Sequence, residues 1–200
     1  MLHACFSKEA ILEAGCDEAG RGCLAGPVVA AAVVLPHNFH HDILTDSKKL
    51  DKNHREALRI EIMQTALDYA VAEVDNDEID KINILNASYL AMHKAIAKLK
   101  KIPELLLIDG NRFKPYRDVP HECIIGGDGK YFSIAAASIL AKTHRDQLMW
   151  KYAEQYPGYG WETNVGYATR SHREAIKDLG FTALHRKSFR CIPNQLNLFE

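Results

Sequence analysis

The chain has 200 residues, 47% of them hydrophobic and 26% charged, which suits one compact domain with a sizeable core. Its 25 Lys and Arg residues balance 26 Asp and Glu residues, so any contact with a polyanion must come from local patches rather than from net charge. Five cysteines without a C-x-x-C pair argue against a disulfide framework and favour a reducing compartment. The longest apolar run, residues 23–35, is shorter than the ~18 residues that cross a bilayer. We therefore expect a soluble cytoplasmic protein that does not associate with membranes.

The amino-terminal part of the chain predicts three strands and one helix. Short apolar or β-branched segments indicate strands at residues 11–18, 28–35 and 69–74. A helix is predicted over residues 51–67, where Asp51 is a suitable N-cap and Ile60, Met63 and Leu67 recur at helical spacing. The first two strands are close enough in sequence to form a hairpin, and a helix leads to the third.

The remainder of the chain alternates helices with strands. A helix over residues 84–100 carries an apolar stripe that we expect to be buried: Leu85, Tyr89, Met92, Ile96 and Leu99. Further segments predict strands at residues 104–108 and 122–125 and helices over residues 132–154 and 169–180. The pattern predicts an α/β fold with a mixed five-stranded sheet flanked by helices. We expect one domain, residues 1–190, followed by a tail, residues 191–200.

Four acidic residues lie at the ends of predicted strands or in the glycine-rich loop that follows one of them: Asp17, Glu18, Asp109 and Asp128. Ligands of α/β sheets gather at strand ends, and carboxylates brought together there repel one another unless cations bridge them. Such oxygen ligands suit Mg²⁺ or Mn²⁺. Neighbouring residues point to opposite faces of a regular strand, but Gly20 and Gly22 make a bend credible after the first two acids. The alternative is that all four acids are ordinary turn residues.

A series of motifs runs along nearly the whole chain. Residues 16–22 read Cys-Asp-Glu-Ala-Gly-Arg-Gly, and residues 24–29 read Leu-Ala-Gly-Pro-Val-Val. Further motifs follow in order at residues 46–50, 82–85, 107–110, 127–128, 133–146, 166–167 and 185–189. Together they resemble the bacterial ribonuclease HII family, one of the type 2 ribonucleases H. The resemblance covers residues 15–189, and its motifs at residues 16–22 and 133–146 are long enough to be highly specific.

The resemblance implies a ribonuclease H-like fold with a C-terminal helical extension, and a metal-dependent endoribonuclease. The implied substrates are the RNA strand of RNA–DNA hybrids and single ribonucleotides embedded in duplex DNA, cut on the 5′ side to leave a 5′-phosphate and a 3′-hydroxyl. The family's catalytic metal ligands carry over to Asp17, Glu18, Asp109 and Asp128, with two Mg²⁺ or Mn²⁺ ions about 4 Å apart. Asp146 is a reserve carboxylate that we expect to pair with a neighbouring basic residue. The implied roles are the removal of ribonucleotides and of RNA primers from DNA.

Recognition of the 2′-hydroxyl distinguishes RNA from DNA at a single site. The resemblance assigns it to the backbone of Gly20, Arg21 and Gly22 and to Tyr167, for which a buried structural role is the alternative. Basic or hydroxyl side chains near the motifs are candidates for phosphate contacts, with solvated surface as the alternative: Ser47, Lys48, Lys49, Lys142, Arg145, Arg170 and His172. The remaining histidines are interpreted as surface residues, except His185, which is interpreted as structural support.

The last residues of the chain place apolar side chains in a polar terminal stretch. The segment reads Gln195-Leu196-Asn197-Leu198-Phe199 and resembles the Gln-Leu-x-Leu-Phe peptide with which bacterial replication and repair proteins bind the β sliding clamp. Its apolar residues would fill a preformed pocket on the partner. The alternative is that Leu196, Leu198 and Phe199 fold back onto the body of the protein.

Three competing functions make different demands on the sequence. A ribonuclease HIII carries an additional N-terminal substrate-binding domain, and only 16 residues precede Asp17. A nucleotide-hydrolysing switch needs a Gly-x-x-x-x-Gly-Lys-Ser/Thr loop, which the chain lacks. A non-catalytic module that binds RNA–DNA hybrids would not need all four carboxylates. We therefore favour a metal-dependent ribonuclease that acts as a monomer.

Overall fold

The computed structural model describes residues 2–44 and 51–191. Within these ranges the chain forms a sheet of five strands: β1 (Glu13–Ala19), β2 (Val28–Val34), β3 (Asp68–Val74), β4 (Leu105–Asp109) and β5 (His121–Ile124). The strand order is β3-β2-β1-β4-β5. Strand β2 pairs antiparallel with both β1 and β3, whereas β4 pairs parallel with both β1 and β5. The prediction of a mixed five-stranded sheet is confirmed.

Helices cover both faces of this sheet: α1 (Lys52–Thr65), α2 (Asn76–Ala97), α3 (Phe132–Gln155), α4 (Trp161–Asn164) and α5 (Arg170–Leu179). Successive residues of β2 face opposite sides, so Ala30 packs in the core under α2 while Ala31 packs in the core under α1 and α3. A third core, formed around Trp161 and Met149, joins α3 to α4 and α5. None of the described helices is long and apolar enough to span a membrane.

Helix α3 lies unusually close to β1. A Cβ atom at Gly15 would be 2.2 Å from the carbonyl carbon of Ser133, so only glycine allows the helix backbone to pass at this distance. This close approach brings the first turns of α3 beside the end of β1. Ser138 of α3 consequently reaches the carboxylate of Asp17.

Helix α2 begins eight residues before the predicted start. Asp75 caps it by accepting a hydrogen bond from the Glu78 amide, and the helix then breaks at Asn83, which has φ 66° and ψ 163°. The Asn83 side chain caps the second segment through the Leu85 amide. The apolar stripe begins only after this break, and the first segment of the helix is acidic, so the sequence pattern did not reveal that segment. The prediction that Leu85 is buried is wrong: it lies in the first turn after the break and is 37% exposed.

Helix α1 confirms the predicted cap but turns a different face to the core. Asp51 accepts a hydrogen bond from the His54 amide at 2.9 Å. The residues noted for helical spacing, Ile60, Met63 and Leu67, are exposed. The buried residues are instead Leu58 and Ile62, which are one helical turn apart and pack in the core with α3.

Candidate active site

The end of the sheet where the predicted acidic residues lie is formed by two neighbouring parallel strands, β1 and β4. Cys16 lies opposite Ile108 in the register, so the next residues along the two strands, Asp17 and Asp109, are brought side by side. Glu18 follows Asp17 within β1, one residue before the last residue of the strand, Ala19. Three of the four acids predicted from the sequence thus meet at one sheet end, as expected for the carboxyl ends of parallel strands.

Asp17 and Glu18 lie in a poorly hydrated setting. Burial raises the pKa of Asp17 well above its usual range, and repulsion from Glu18 and Asp109 raises it further. Burial also raises the pKa of Glu18, although the nearby Arg21 guanidinium, 2.9 Å away, opposes that shift. Hydrogen bonds from Ser138 and from the Glu18 amide favour the ionised form of Asp17 and fix its orientation. The site therefore concentrates negative charge that a bound cation would relieve.

The fourth acid, Asp128, is presented by a glycine-rich 3₁₀ turn, Gly127–Gly129. The Gly127 amide donates a hydrogen bond of 2.7 Å to Asp109 Oδ1, which ties this turn to the end of β4. A Cβ atom at Gly127 would be 2.6 Å from the Ile134 side chain, so glycine is needed for the turn to dock against α3. Asp128 is buried within this turn and lies at the same end of the sheet as the other three acids.

The donor set fits a hard divalent cation. In the part of the chain that the structure describes, no three His, Cys, Asp or Glu side chains converge into a ready-made metal cage. Mg²⁺ and Mn²⁺ are commonly bound by one or two carboxylates, with waters and substrate phosphates completing the coordination shell. Paired carboxylates at an open sheet end match that mode of binding, in which the substrate completes the site.

In the loop between β1 and β2, residues 20–27, two of the three glycines, Gly20 and Gly22, are there for different physical reasons. Gly20 has φ +95°, and a Cβ atom there would be 2.1 Å from Arg145 Nε, so the fold itself requires glycine. Gly22 has no left-handed backbone, and a Cβ atom there would meet nothing within 4 Å. The fold therefore does not require glycine at position 22, and the space beside its backbone is open.

Tyr167 lies beside the β1–β2 loop. It forms an isolated antiparallel bridge with Cys23, and its ring is 5.3 Å from Lys142 Nζ. The residue is 39% exposed, so the alternative of a buried structural tyrosine is wrong. Burial raises the pKa of the Tyr167 hydroxyl, so the group is protonated at neutral pH, as in an ordinary tyrosine. A half-exposed ring with a protonated hydroxyl can stack on a sugar and donate to it.

Three charged residues with predicted roles lie on α3 and α5: Lys142, Asp146 and Arg170. Lys142 and Asp146 form an ion pair of 2.8 Å, which confirms that the reserve carboxylate pairs with a basic neighbour. Arg170 is almost fully exposed and pairs with Glu174, which raises the pKa of its guanidinium. Phosphate contacts by Lys142 and Arg170 remain predictions.

Two other predicted phosphate contacts require correction, because Arg145 and His172 are fully buried. Every nitrogen of the Arg145 guanidinium donates to a backbone carbonyl. His172 receives a hydrogen bond from Trp161 Nε1, and its Nδ1 contacts the Tyr167 carbonyl. Neither side chain is free to contact a phosphate, and the interpretation of His172 as a surface residue is also wrong.

The remaining predicted contacts fall outside the described residues. These are the phosphate candidates Ser47, Lys48 and Lys49 and the clamp peptide Gln195, Leu196, Leu198 and Phe199. Sequence reasoning also missed two supporting residues inside recognised motifs, Ser138 at Asp17 and Arg186 at the β1–β2 loop. Both lie in long motifs whose individual side chains had no assigned role.

Comparison with known proteins decides the family. The chain matches the family model described as Ribonuclease HII over residues 14–192. A Ribonuclease HII from Cytophaga hutchinsonii is 60% identical over 195 residues, which cover 97% of this chain and 96% of that protein. Another, from Bacteroides fragilis, is 58% identical over 193 residues, or 96% of each protein. The chain belongs to the ribonuclease HII family.

Solved structures place the fold in the same family. Ribonuclease H2 from Pyrococcus horikoshii superposes with a TM-score of 0.73 at 27% identity, covering 90% of this chain and 94% of that one. Ribonuclease HII from the PCNA:RNase HII complex of Archaeoglobus fulgidus gives a TM-score of 0.75 at 28% identity, covering 94% and 98%. As a member of the ribonuclease HII family, the chain is an endoribonuclease that degrades RNA in RNA–DNA hybrids, and its activity depends on metal ions.

Proposed function

We propose that the chain uses two divalent cations, Mg²⁺ or Mn²⁺, and that it incises duplex DNA on the 5′ side of a single ribonucleotide as well as cutting longer hybrids. Asp17, Glu18, Asp109 and Asp128 would hold the ions. The observation that carries the proposal is the placement of Asp17 and Asp109 side by side on adjacent parallel strands, where burial and then the neighbouring carboxylates raise the pKa of Asp17. This excess of negative charge suits divalent cations and the anionic substrate that they would bind.

The bound ions would supply an activated water and would neutralise charge on the phosphate. The protein's own contribution is to position the ligands before substrate arrives. Ser138 and the Glu18 amide fix Asp17, while the Gly127 amide fixes Asp109. The carboxylates of Asp17 and Asp109 are thus oriented by hydrogen bonds, which lowers the cost of organising the site during the reaction.

Substrate selection would use the β1–β2 loop and Tyr167. The open space at Gly22 leaves room for a ribose to approach the backbone of Gly20, Arg21 and Gly22. The exposed ring of Tyr167 would pack on the sugar of the following deoxynucleotide, and its hydroxyl would reach the 2′-hydroxyl. Lys142 and Arg170, with Ser47, Lys48 and Lys49, would contact the flanking phosphates.

Cleavage of a labelled DNA duplex that contains one ribonucleotide tests this proposal. Reactions are run with Mg²⁺, with Mn²⁺ and with a chelator, beside a continuous RNA–DNA hybrid of the same sequence. Mn²⁺ is included because one structure that shares this fold, Bst-RNase HIII, is a complex with Mn²⁺. A single metal-dependent cut on the 5′ side of the ribonucleotide is the expected result. Cutting of continuous hybrids alone would overturn the proposed ribose recognition, and tight binding without cutting would favour a non-catalytic module.

The C-terminal peptide would recruit the enzyme to a sliding clamp. Support comes from its Gln-Leu-x-Leu-Phe pattern and from the archaeal relative that was solved as a complex with PCNA. Acting as a monomer, each chain would carry one such peptide in its tail, residues 191–200. Titration of the full chain against purified β clamp should show binding that Leu198→Ala and Phe199→Ala abolish. Asn197→Ala, at the variable position, is the matched control, and equal weak binding by all four chains would contradict the idea.

A further inference from the structure

Two fully buried arginines, Arg145 on α3 and Arg186 in the motif at residues 185–189, lie beneath the β1–β2 loop. Within the described part of the chain their guanidinium groups donate to backbone carbonyls, and neither forms an ion pair there. Buried guanidinium groups normally need full hydrogen bonding to offset their lost hydration. The loop supplies that bonding, so loop and arginines depend on each other.

Arg186 binds the part of the loop that carries the Gly-Arg-Gly motif. Its Nη2 donates to the Gly20 carbonyl at 2.7 Å and to the Gly26 carbonyl at 2.9 Å. Its Nη1 donates to the Arg21 carbonyl at 2.9 Å, and its Nε donates to the Gly26 carbonyl at 3.0 Å. Arg145 completes the support with bonds to the carbonyls of Ala25, Pro27 and Val165.

These bonds determine where the loop's amides point. In a planar trans peptide the carbonyl oxygen and the following N–H point in opposite directions. Because Arg186 holds the carbonyls of Gly20 and Arg21 toward the interior, the N–H groups of Arg21 and Gly22 are turned outward. Neither N–H donates a hydrogen bond within the described part of the chain. The result is a pair of successive donors at the glycine that has open space in front of it.

The position of Arg186 is itself fixed by the residues that follow it. Asp80 accepts hydrogen bonds from the amides of Lys187 and Ser188 and from the Ser188 hydroxyl. The Arg186 amide donates to the Leu24 carbonyl at 2.8 Å, which adds a second contact to the loop. The guanidinium therefore has little freedom to move away from the carbonyls that it holds.

We propose that Arg186 is a positioning residue for ribose recognition, which acts by turning the N–H groups of Arg21 and Gly22 toward the substrate. The proposal rests on the proposed function, in which this loop contacts the 2′-hydroxyl. Lysine at this position would keep the charge, but a single ammonium lacks the planar fork that serves three carbonyls. Arg186→Lys should therefore weaken recognition of the ribose more than binding of DNA.

The test measures binding without turnover, in full-length chains that all carry Asp17→Asn. Dissociation constants are compared for a duplex with one ribonucleotide and for the same duplex made only of DNA. Adding Arg186→Lys should reduce the preference for the ribonucleotide about tenfold, the effect of losing one good hydrogen bond, while DNA affinity stays within about twofold. Arg173→Lys is the matched control because Arg173 also binds backbone carbonyls, those of Arg190 and Cys191, away from this loop.

The possible outcomes separate this inference from the proposed function. If the Asp17→Asn chain itself binds both duplexes equally, ribose recognition fails and the inference fails with it. If that chain prefers the ribonucleotide and Arg186→Lys leaves the preference unchanged, or weakens both affinities equally, only the inference is overturned. Should Arg186→Lys not fold, Asp80→Asn loosens the support of Arg186 without removing it, and it must lower the same preference for the inference to stand.

Discussion

The two halves of the site are built on opposite electrostatic principles. At the sheet end, Asp17, Glu18 and Asp109 lie close together, and burial and then repulsion among them raise the pKa of Asp17. In the β1–β2 loop, by contrast, the inward carbonyls are matched by the donors of Arg145 and Arg186. On the proposed function, the first region would be completed by cations and substrate, whereas the hydrogen bonds of the second are made before any ligand binds. The metal ligands would then await their ions, while the loop that recognises the ribose would be preorganised.

The largest effect is expected when the charge at the sheet end is reduced. Asp17→Asn should lower kcat on the order of 10³-fold or more, because the substituted residue no longer offers a carboxylate to the cations. In the presence of chelator the same chain should be at least as stable as the unchanged one, since one of several repelling charges has been removed. Cleavage of the labelled duplex and urea unfolding measure the two effects.

A matched substitution separates this effect from a general loss of acidity. Asp118 is exposed, and Asp118→Asn should retain full activity. Divalent cations should raise the melting temperature of the unchanged chain and of Asp118→Asn but raise that of Asp17→Asn less. Strong destabilisation of Asp17→Asn in chelator would contradict the view that this region is strained by repulsion.

Substitutions at Gly20 and Gly22 in the β1–β2 loop test folding and substrate recognition separately. Gly20→Ala should lower the free energy of unfolding by ~2–4 kcal/mol, because its Cβ atom would overlap Arg145 in a left-handed backbone. Gly22→Ala should keep the melting temperature but lower kcat/KM about tenfold, since the methyl group occupies only the space of the ligand. Thermal melts and steady-state cleavage distinguish them, and equal destabilisation by both substitutions would refute the distinction.

Tyr167 should show a smaller effect that is confined to substrate preference. Tyr167→Ala should reduce the ratio of kcat/KM for the single-ribonucleotide duplex over that for the continuous hybrid by about fivefold to tenfold. Tyr167→Phe keeps the ring and removes the hydroxyl, so it should lie between Tyr167→Ala and the unchanged chain. An unchanged ratio in both variants would remove Tyr167 from the recognition half of the site.

The smallest effect is expected in the pH dependence of folding stability, through the histidine pair behind Tyr167. In this pair His172 Nε2 and His185 Nε2 lie 3.2 Å apart. Burial lowers the pKa of His185 to about 4, and repulsion from His172 adds to the shift. Unfolded histidine titrates near ~6.5, so the unfolded chain takes up the proton first as pH falls. The contribution of His185 to stability is therefore complete above that pH and is lost, by on the order of 1–2 kcal/mol, as pH approaches about 4.

Urea unfolding across this pH range, compared between variants, isolates the contribution of the histidine pair. His185→Asn retains an acceptor for the Thr182 amide, which now donates to His185 Nδ1 at 2.9 Å, and should show a shallower loss of stability. His37→Asn, at an exposed position, is the control. A profile for His185→Asn that parallels the unchanged chain would show that the pair does not titrate with unfolding.

The sequence predicted the sheet end far better than the loop, for a physical reason. The pattern predicted Asp17 and Asp109 near the ends of strands, and the structure shows that these two strands are parallel neighbours. Arg145 and His172 looked like surface cations because their burial depends on packing among α3, α5 and the β1–β2 loop. No local pattern reveals such packing. The break at Asn83 was missed for a similar reason, since periodicity records spacing but not backbone conformation.

The support of the β1–β2 loop by Arg145 and Arg186 also bears on the order in which parts of the chain fold. Arg186 lies 160 to 166 positions beyond the carbonyls that it binds, and Arg145 lies 118 or 120 positions beyond two of its own. Contacts between such distant parts of a chain form late in folding. A chain still emerging from the ribosome therefore carries the acids of β1 long before its ribose-facing amides are set. On the proposed function, a chain that has not yet reached Arg186 would lack the support that sets this loop for ribose recognition.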